Sequence, residues 1–139
     1  MLKLNKLAVA ALASFSVLAT PASANFTNNE IRIGYVADMS GAYRDPIGPL
    51  GLEAIKMTID EFGGSINGAK IVTYSADDKN NADLGASIVR EWIDQRNVDM
   101  VTGLIASSVT LASLKLIADT NKPGLVNCAV SSSITTEHC

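Results

Sequence analysis

Histidine is almost absent from this chain of 139 residues: the single one is His138, next to the last residue. That scarcity withdraws the usual general base from any interior site. No Gly-x-Ser-x-Gly elbow is present, and no nucleophile–base pair stands out, so an exported α/β hydrolase finds no support in the residues. There are only two cysteines, Cys128 and Cys139. With Glu137 and His138 they could be drawn as zinc ligands, but their spacing fits no structural zinc pattern. A basic cluster is missing too, and 14 acidic residues against 11 basic ones give a net charge of −3, which argues against a nucleic-acid partner. No internal repeat or low-complexity segment interrupts the chain. Nucleotide fingerprints are also missing. A P-loop ends in Gly-Lys-Ser/Thr, and the polar loop after the first apolar stretch has no such ending. Gly34 lies inside that stretch, Gly41 stands alone, and Gly48 and Gly51 come too late for a Gly-x-Gly-x-x-Gly turn.

What is present begins with a leader. Lys3 and Lys6 precede an almost unbroken apolar run from Leu7 to Ala19, and Pro21 and Ala22-Ser23-Ala24 supply small residues for cleavage. The run is shorter than the ~20 residues of a membrane-spanning helix. No cysteine lies near the cleavage point to carry a lipid. The expectation is a signal peptide over residues 1–24, with a soluble exported chain starting at Asn25. That product carries nine basic residues against 14 acidic ones and is one domain at most. In an oxidising compartment a Cys128–Cys139 disulfide is simpler than a metal site, with a free thiol at Cys139 as the alternative.

The exported part alternates in period. Ile31, Ile33, Tyr35 and Val36 predict a strand. Leu52, Ile55, Ile59 and Phe62 share one helical face, which Gly63-Gly64 ends and the Asn67-Gly68 turn follows. Residues 70–76 predict a second strand. Residues 82–95 predict a helix with Leu84, Ile88 and Trp92 inward. Met100, Val101 and Gly103 predict a third strand. Residues 109–121 predict a helix with Leu111, Leu114, Ile117 and Ala118 inward, and residues 124–127 a fourth strand. The order β-α-β-α-β-α-β predicts an α/β fold: a doubly wound, Rossmann-like parallel sheet covered on both faces. The loops after the strands then gather along its carboxyl edge, where open sheets of this kind bind ligands. These loops are residues 38–50, 77–81, 104–108 and 128 onward.

On that edge Ser107-Ser108 falls where a strand gives way to a helix. Unpaired N–H groups and the helix dipole favour an anion there, and the same serines could equally be N-caps. Ala129-Val130-Ser131-Ser132-Ser133 adds hydroxyls after the fourth strand, so two neighbouring clusters could clamp a carboxylate. Tyr43 could cover the apolar part of a ligand. Asp77-Asp78 could be drawn as a metal pair, though adjacent loop acids are more often solvated or cap the next helix. No cofactor is implied.

The ordered set of segments resembles a known family. Ile31-Arg-Ile-Gly-Tyr-Val-Ala-Asp-Met-Ser-Gly is similar to the opening strand and Ser-Gly loop of type 1 periplasmic binding proteins of the branched-chain amino acid transport family. Gly51-Leu-Glu-Ala-Ile-Lys-Met-Thr-Ile-Asp-Glu-Phe-Gly-Gly-Ser-Ile-Asn-Gly is similar to its first helix and exit. Ser75-Ala-Asp-Asp-Lys-Asn-Asn-Ala-Asp, Val98-Asp-Met-Val-Thr-Gly and Asn127-Cys-Ala-Val-Ser-Ser-Ser continue the likeness. The resemblance implies a periplasmic solute-binding component of an ABC importer for amino acids or related small carboxylates, partnered by a permease, and not an enzyme. It implies a ligand carboxylate held by Ala106, Ser107 and Ser108 on one loop and by Ala129 and Ser131 on the next, with Tyr43 packing from the side. Val130 replaces a smaller residue of the family and narrows the pocket. Family chains run on into a second lobe, so residues 25–139 are expected to be a partial N-terminal lobe, truncated and impaired in binding. A ligand-sensing input domain of a receptor or regulator is the alternative that the same fold implies.

Overall fold

The structure, a computed structural model, describes residues 26–137. The leader, His138 and Cys139, and with them the cleavage site and the Cys128–Cys139 pairing, lie outside the described residues. A short 3-10 turn at Thr27–Asn29 leads into β1, Glu30–Ala37. Then follow α1 (Gly48–Glu61), β2 (Ser65–Ile66), β3 (Ala69–Asp77), α2 (Ala82–Asp94), β4 (Met100–Gly103), α3 (Ser107–Ala118), β5 (Gly124–Val126) and α4 (Ser133–Thr136). Among the described residues, no helix is long and apolar enough to cross a membrane.

The five strands form one sheet in the order β2-β3-β1-β4-β5. β1 pairs in parallel with β3 and β4, β4 pairs in parallel with β5, and only the two-residue β2 runs antiparallel, against β3. β2 is not foreseen by apolar periodicity because both its residues are exposed. Its hairpin comes from the Asn67-Gly68 turn, where both residues have positive φ, 51° and 85°, as a tight two-residue connection requires.

Both faces of the sheet are covered, as the alternating pattern predicts. One face carries α2 and α3 over a cluster of Val36, Val89, Trp92, Val101, Leu104 and Leu114. Each fully buried aliphatic side chain of this kind is worth ~1.5–3 kcal/mol against exposure. Among the described residues the other face carries α1, over Tyr35, Ala37 and Ile105, with Leu52 and Ile55 packed partly against them.

Three inward assignments shift. Phe62 is 66% exposed: α1 ends at Glu61, and Phe62 is the C-cap from which the chain leaves through Gly63 and Gly64. On α2 the buried stripe is Gly85, Val89 and Trp92, and Leu84 lies at the margin, 37% exposed. Gly85 turns inward because a bare Cα there lets Val109 of α3 pack against α2. On α3 Ala118 is exposed, whereas Val109, Thr110 and Ser113 are buried. The buried positions 109, 110, 113, 114 and 117 recur at helical spacing, and Thr110 and Ser113 belong to that face although they are polar.

Candidate functional site

The ends of β1, β3, β4 and β5 open onto one edge, and the predicted site residues lie there. The chain reaches α3 from β4 by an unusual route. Gly103 and Leu104 have φ of 94° and 47°, and Leu104 is a bulky residue in the left-handed region. Such a conformation costs ~1–3 kcal/mol and persists only where its surroundings enforce it. Here Leu104 is fully buried, its N–H donates to the Val36 carbonyl at 3.0 Å, and its carbonyl accepts from Thr110 Oγ1 at 2.9 Å. The reversal delivers Ile105 and Ala106, both buried, and then Ser107 at the first turn of α3.

Ser107 is not the helix cap. The N-cap is Ala106, and no side chain caps the helix. Instead, Ser107 Oγ accepts a hydrogen bond from the Val130 N–H at 3.2 Å, across 23 residues of sequence. This bond joins the loop after β4 to the loop after β5. It occupies a lone pair of the hydroxyl and leaves its proton to donate outward. The first N–H groups of α3 also lack intrahelical acceptors. Ser131 Oγ lies 2.8 Å from Ser133 Oγ, so a pair of hydroxyls follows Val130 where the loop enters α4. Ala129 and Ser131 are partly buried, Ser108 is exposed, and Val130 is 92% exposed. Beneath this loop Thr102 Oγ1 donates to Asn127 Oδ1 at 3.0 Å, tying β4 to the exit of β5. The arrangement is suited to receiving an anionic group.

Tyr43 is 41% exposed in the loop after β1, and among the described residues its hydroxyl has no hydrogen-bond partner. Cys128 is exposed, with no disulfide partner among the described residues. Asp77 and Asp78 neither lie idle in solvent nor cap α2: the cap is Asn81, whose side chain accepts from the Leu84 N–H. Asp77 Oδ1 accepts from the N–H groups of Met39 and Lys79, each at 2.9 Å, and Oδ2 from the Ser40 hydroxyl at 2.6 Å. Burial acts to raise its pKa, but these hydrogen bonds and the Lys79 charge outweigh it and hold the group below its usual value. Asp78 is the opposite case, fully buried, with burial pushing its pKa up. Among the described residues no grouping of three or more His, Cys, Asp or Glu side chains could hold a metal ion.

Sequence reasoning missed Asp38. This buried carboxylate at the end of β1 accepts from the backbone N–H groups of Ser40, Gly41 and Tyr43. Its signal was legible in Asp38-Met-Ser-Gly, since an aspartate followed by small turn-forming residues readily bonds the backbone just ahead of it.

A family profile described as "Periplasmic binding protein" matches residues 30–139. Among solved structures, a periplasmic binding protein from Burkholderia mallei is similar at 38% identity and a TM-score of 0.78, over 81% of this chain and 30% of its own. A solute binding protein of an ABC transporter from Rhodopseudomonas palustris BisB5, in complex with 3,4-dihydroxybenzoic acid, shares 26% identity over 78% of this chain and 30% of its own, with a TM-score of 0.73. The branched-chain amino acid transporter substrate binding protein of Streptococcus pneumoniae, in complex with isoleucine, shares the fold at 23% identity and a TM-score of 0.71, over 78% of this chain and 32% of its own. This chain thus spans less than a third of the length of each of these neighbours. The neighbours are binding proteins rather than enzymes. No curated protein matches the chain at a significant level.

Proposed function

The chain belongs to the periplasmic binding protein family, and on that premise we propose that it supplies the N-terminal wall of a solute cleft in an ABC importer. The solute is a small carboxylate, either an amino acid of the branched-chain class or an aromatic acid. Ser107, with Ala106 and Ser108 beside it, meets the carboxylate from α3, and Ala129 and Ser131 meet it from the next loop. Tyr43 flanks the apolar portion. Residues 1–24 are a signal peptide that sends the chain to the periplasm, where a permease takes up the solute. The observation that carries this reading is the Ser107–Val130 hydrogen bond, because it holds the two hydroxyl-bearing loops against each other at the sheet's carboxyl edge. The chemistry of known ligands agrees: isoleucine and 3,4-dihydroxybenzoic acid, found in structural neighbours, share a carboxylate and an apolar body.

One wall binds less well than two. Closure of a cleft normally buries the ligand and strips water from its polar contacts. The described residues are therefore expected to bind weakly. Titration of the ¹⁵N-labelled chain with isoleucine, leucine and 3,4-dihydroxybenzoate tests this by NMR, with calorimetry alongside. Saturable shifts at the Ser107, Val130 and Ser131 amides at high ligand concentration are expected. Their absence with every probe would overturn the reading, and sub-micromolar affinity would overturn the expectation of weak binding.

A further inference from the structure

Resting on that reading and deepening it, we propose that Asp38 and Asp77 are positioning residues for the ligand: together they fix the loop after β1 so that Tyr43 stands at the cleft. The Tyr35 hydroxyl holds the end of the loop, donating to the Ile47 and Gly48 carbonyls at 3.0 and 3.1 Å, but residues 39–46 have little else to shape them. Residues 41–46 are all exposed, and only Ile47 and Gly48 return toward the core. Its own backbone contributes two long bonds, Arg44 N–H to the Gly41 carbonyl at 3.2 Å and Gly48 N–H to the Tyr43 carbonyl at 3.4 Å. The short bonds end on carboxylates. Asp38 Oδ1 accepts from Gly41 N–H at 2.6 Å, and Oδ2 accepts from Tyr43 N–H at 3.0 Å; the Ser40 N–H reaches Oδ1 by a longer bond of 3.3 Å. Asp77 takes the Met39 N–H and the Ser40 hydroxyl. Four of the five amides from Met39 to Tyr43 therefore point at two aspartates. Gly41 lies so close that a Cβ there would meet the Asp38 carboxylate oxygens at 2.6 and 2.8 Å.

An exposed loop that buries almost nothing adds little to the core, so two carboxylates committed to it, one of them 1% exposed, serve its shape. The same geometry divides the work of the cleft. Amides turned inward to Asp38 and Asp77 are not available to an anion, and the two negative charges behind them disfavour one. The loop therefore faces the apolar body of the solute with Tyr43, while the Ser107 and Val130 loops face its carboxylate.

The test is NMR on the full chain, comparing wild type with Asp38→Asn and Ser40→Ala, with 3,4-dihydroxybenzoate as probe. An asparagine keeps one acceptor oxygen and turns the other into a donor. Asp38→Asn should therefore keep the Gly41 amide protected from exchange while that of Tyr43 exchanges about tenfold faster, the usual scale for losing a charge-assisted bond. Ligand shifts at Tyr43 should fall by at least half, and those at Val130 and Ser131 should persist. Ser40→Ala removes one exposed hydroxyl, spares the fold, and should weaken the Tyr43 response in the same sense through Asp77. If Tyr43 exchange and ligand shifts are unchanged in both variants, the proposal alone is overturned. Equal losses at Val130 and Ser131 would also overturn it, because the carboxylates would then act through the whole fold. If wild type shows no shift at Val130 and Ser131, the functional reading falls and takes the proposal with it.

Discussion

Replacing Asp78 with asparagine should make this protein more stable at neutral pH. Asp78 is fully buried where β3 gives way to α2. Its backbone N–H donates to the Ala37 carbonyl at 3.0 Å, and its Oδ1 accepts from the Asn80 N–H at 2.8 Å. Its Oδ2 is buried with no hydrogen-bond partner. Burial raises its pKa above 3.8; the Asn80 bond works against this, and the neighbouring Asp38 and Asp77 charges add to it. A group whose folded pKa lies above its unfolded value binds more protons in the native state, so its contribution to stability falls as pH rises from about 3.8. Asparagine keeps the acceptor for Asn80 and removes the buried charge. An unsatisfied buried polar atom costs ~1–3 kcal/mol, and the amide's own unmet donors return part of that, which leaves a net gain of ~1–2 kcal/mol at pH 7. For a domain of this size the gain corresponds to a Tm increase of roughly 4–8 °C or more. Urea denaturation followed by far-ultraviolet circular dichroism, at pH 7 and again near pH 4, measures it. Wild type and variant should converge at the lower pH. The opposite linkage of Asp77, whose contribution is lost as pH falls below 3.8, is present in both proteins and cancels in the difference apart from its coupling to the Asp78 charge. A variant less stable than wild type at pH 7 would refute the reasoning, since it would mean that the ionised carboxylate is favourably held.

Gly103→Ala should destabilise the fold by ~2–4 kcal/mol, because a Cβ there meets the Val36 backbone while φ is 94°; a denaturation midpoint within error of wild type would contradict the route described from β4 to α3. Material recovered from the periplasm should begin at Asn25 by N-terminal sequencing and should show no reactive thiols at Cys128 and Cys139 under non-reducing denaturation. A start at Met1 would exclude the leader, and two free thiols would exclude the disulfide.

Much of the architecture was legible because burial and periodicity coincide. The four parallel strands read clearly from residues such as Ile33, Tyr35, Val36 and Val101, since strands covered on both faces repeat few polar residues. The faces of the helices were read less well. Gly85 is invisible to a search for apolar side chains, yet its lack of one is what turns the buried stripe of α2 away from Leu84. Phe62 fits the helical spacing but stands beyond the last helical turn. At the candidate site, the serines could be placed on one edge from topology alone. The pairing could not, because it runs from a side chain to the backbone N–H of Val130, and a backbone group leaves no mark in sequence. Asp77 was obscured for the same reason, since its Met39 partner is a main-chain amide 38 residues away, whereas Asp38 carried a local turn signal that apolar periodicity does not register.

The chain has one tryptophan, Trp92, which is 4% exposed and lies over Gly34 in the α2–α3 face. Gly34 makes room for the indole, and the ring is thereby sealed in the core rather than set at the carboxyl edge. Its emission will report unfolding cleanly and stay nearly silent while a solute comes and goes. Tryptophan emission is therefore a reporter of the core and not of the carboxyl edge, where probes placed on the loops themselves are needed.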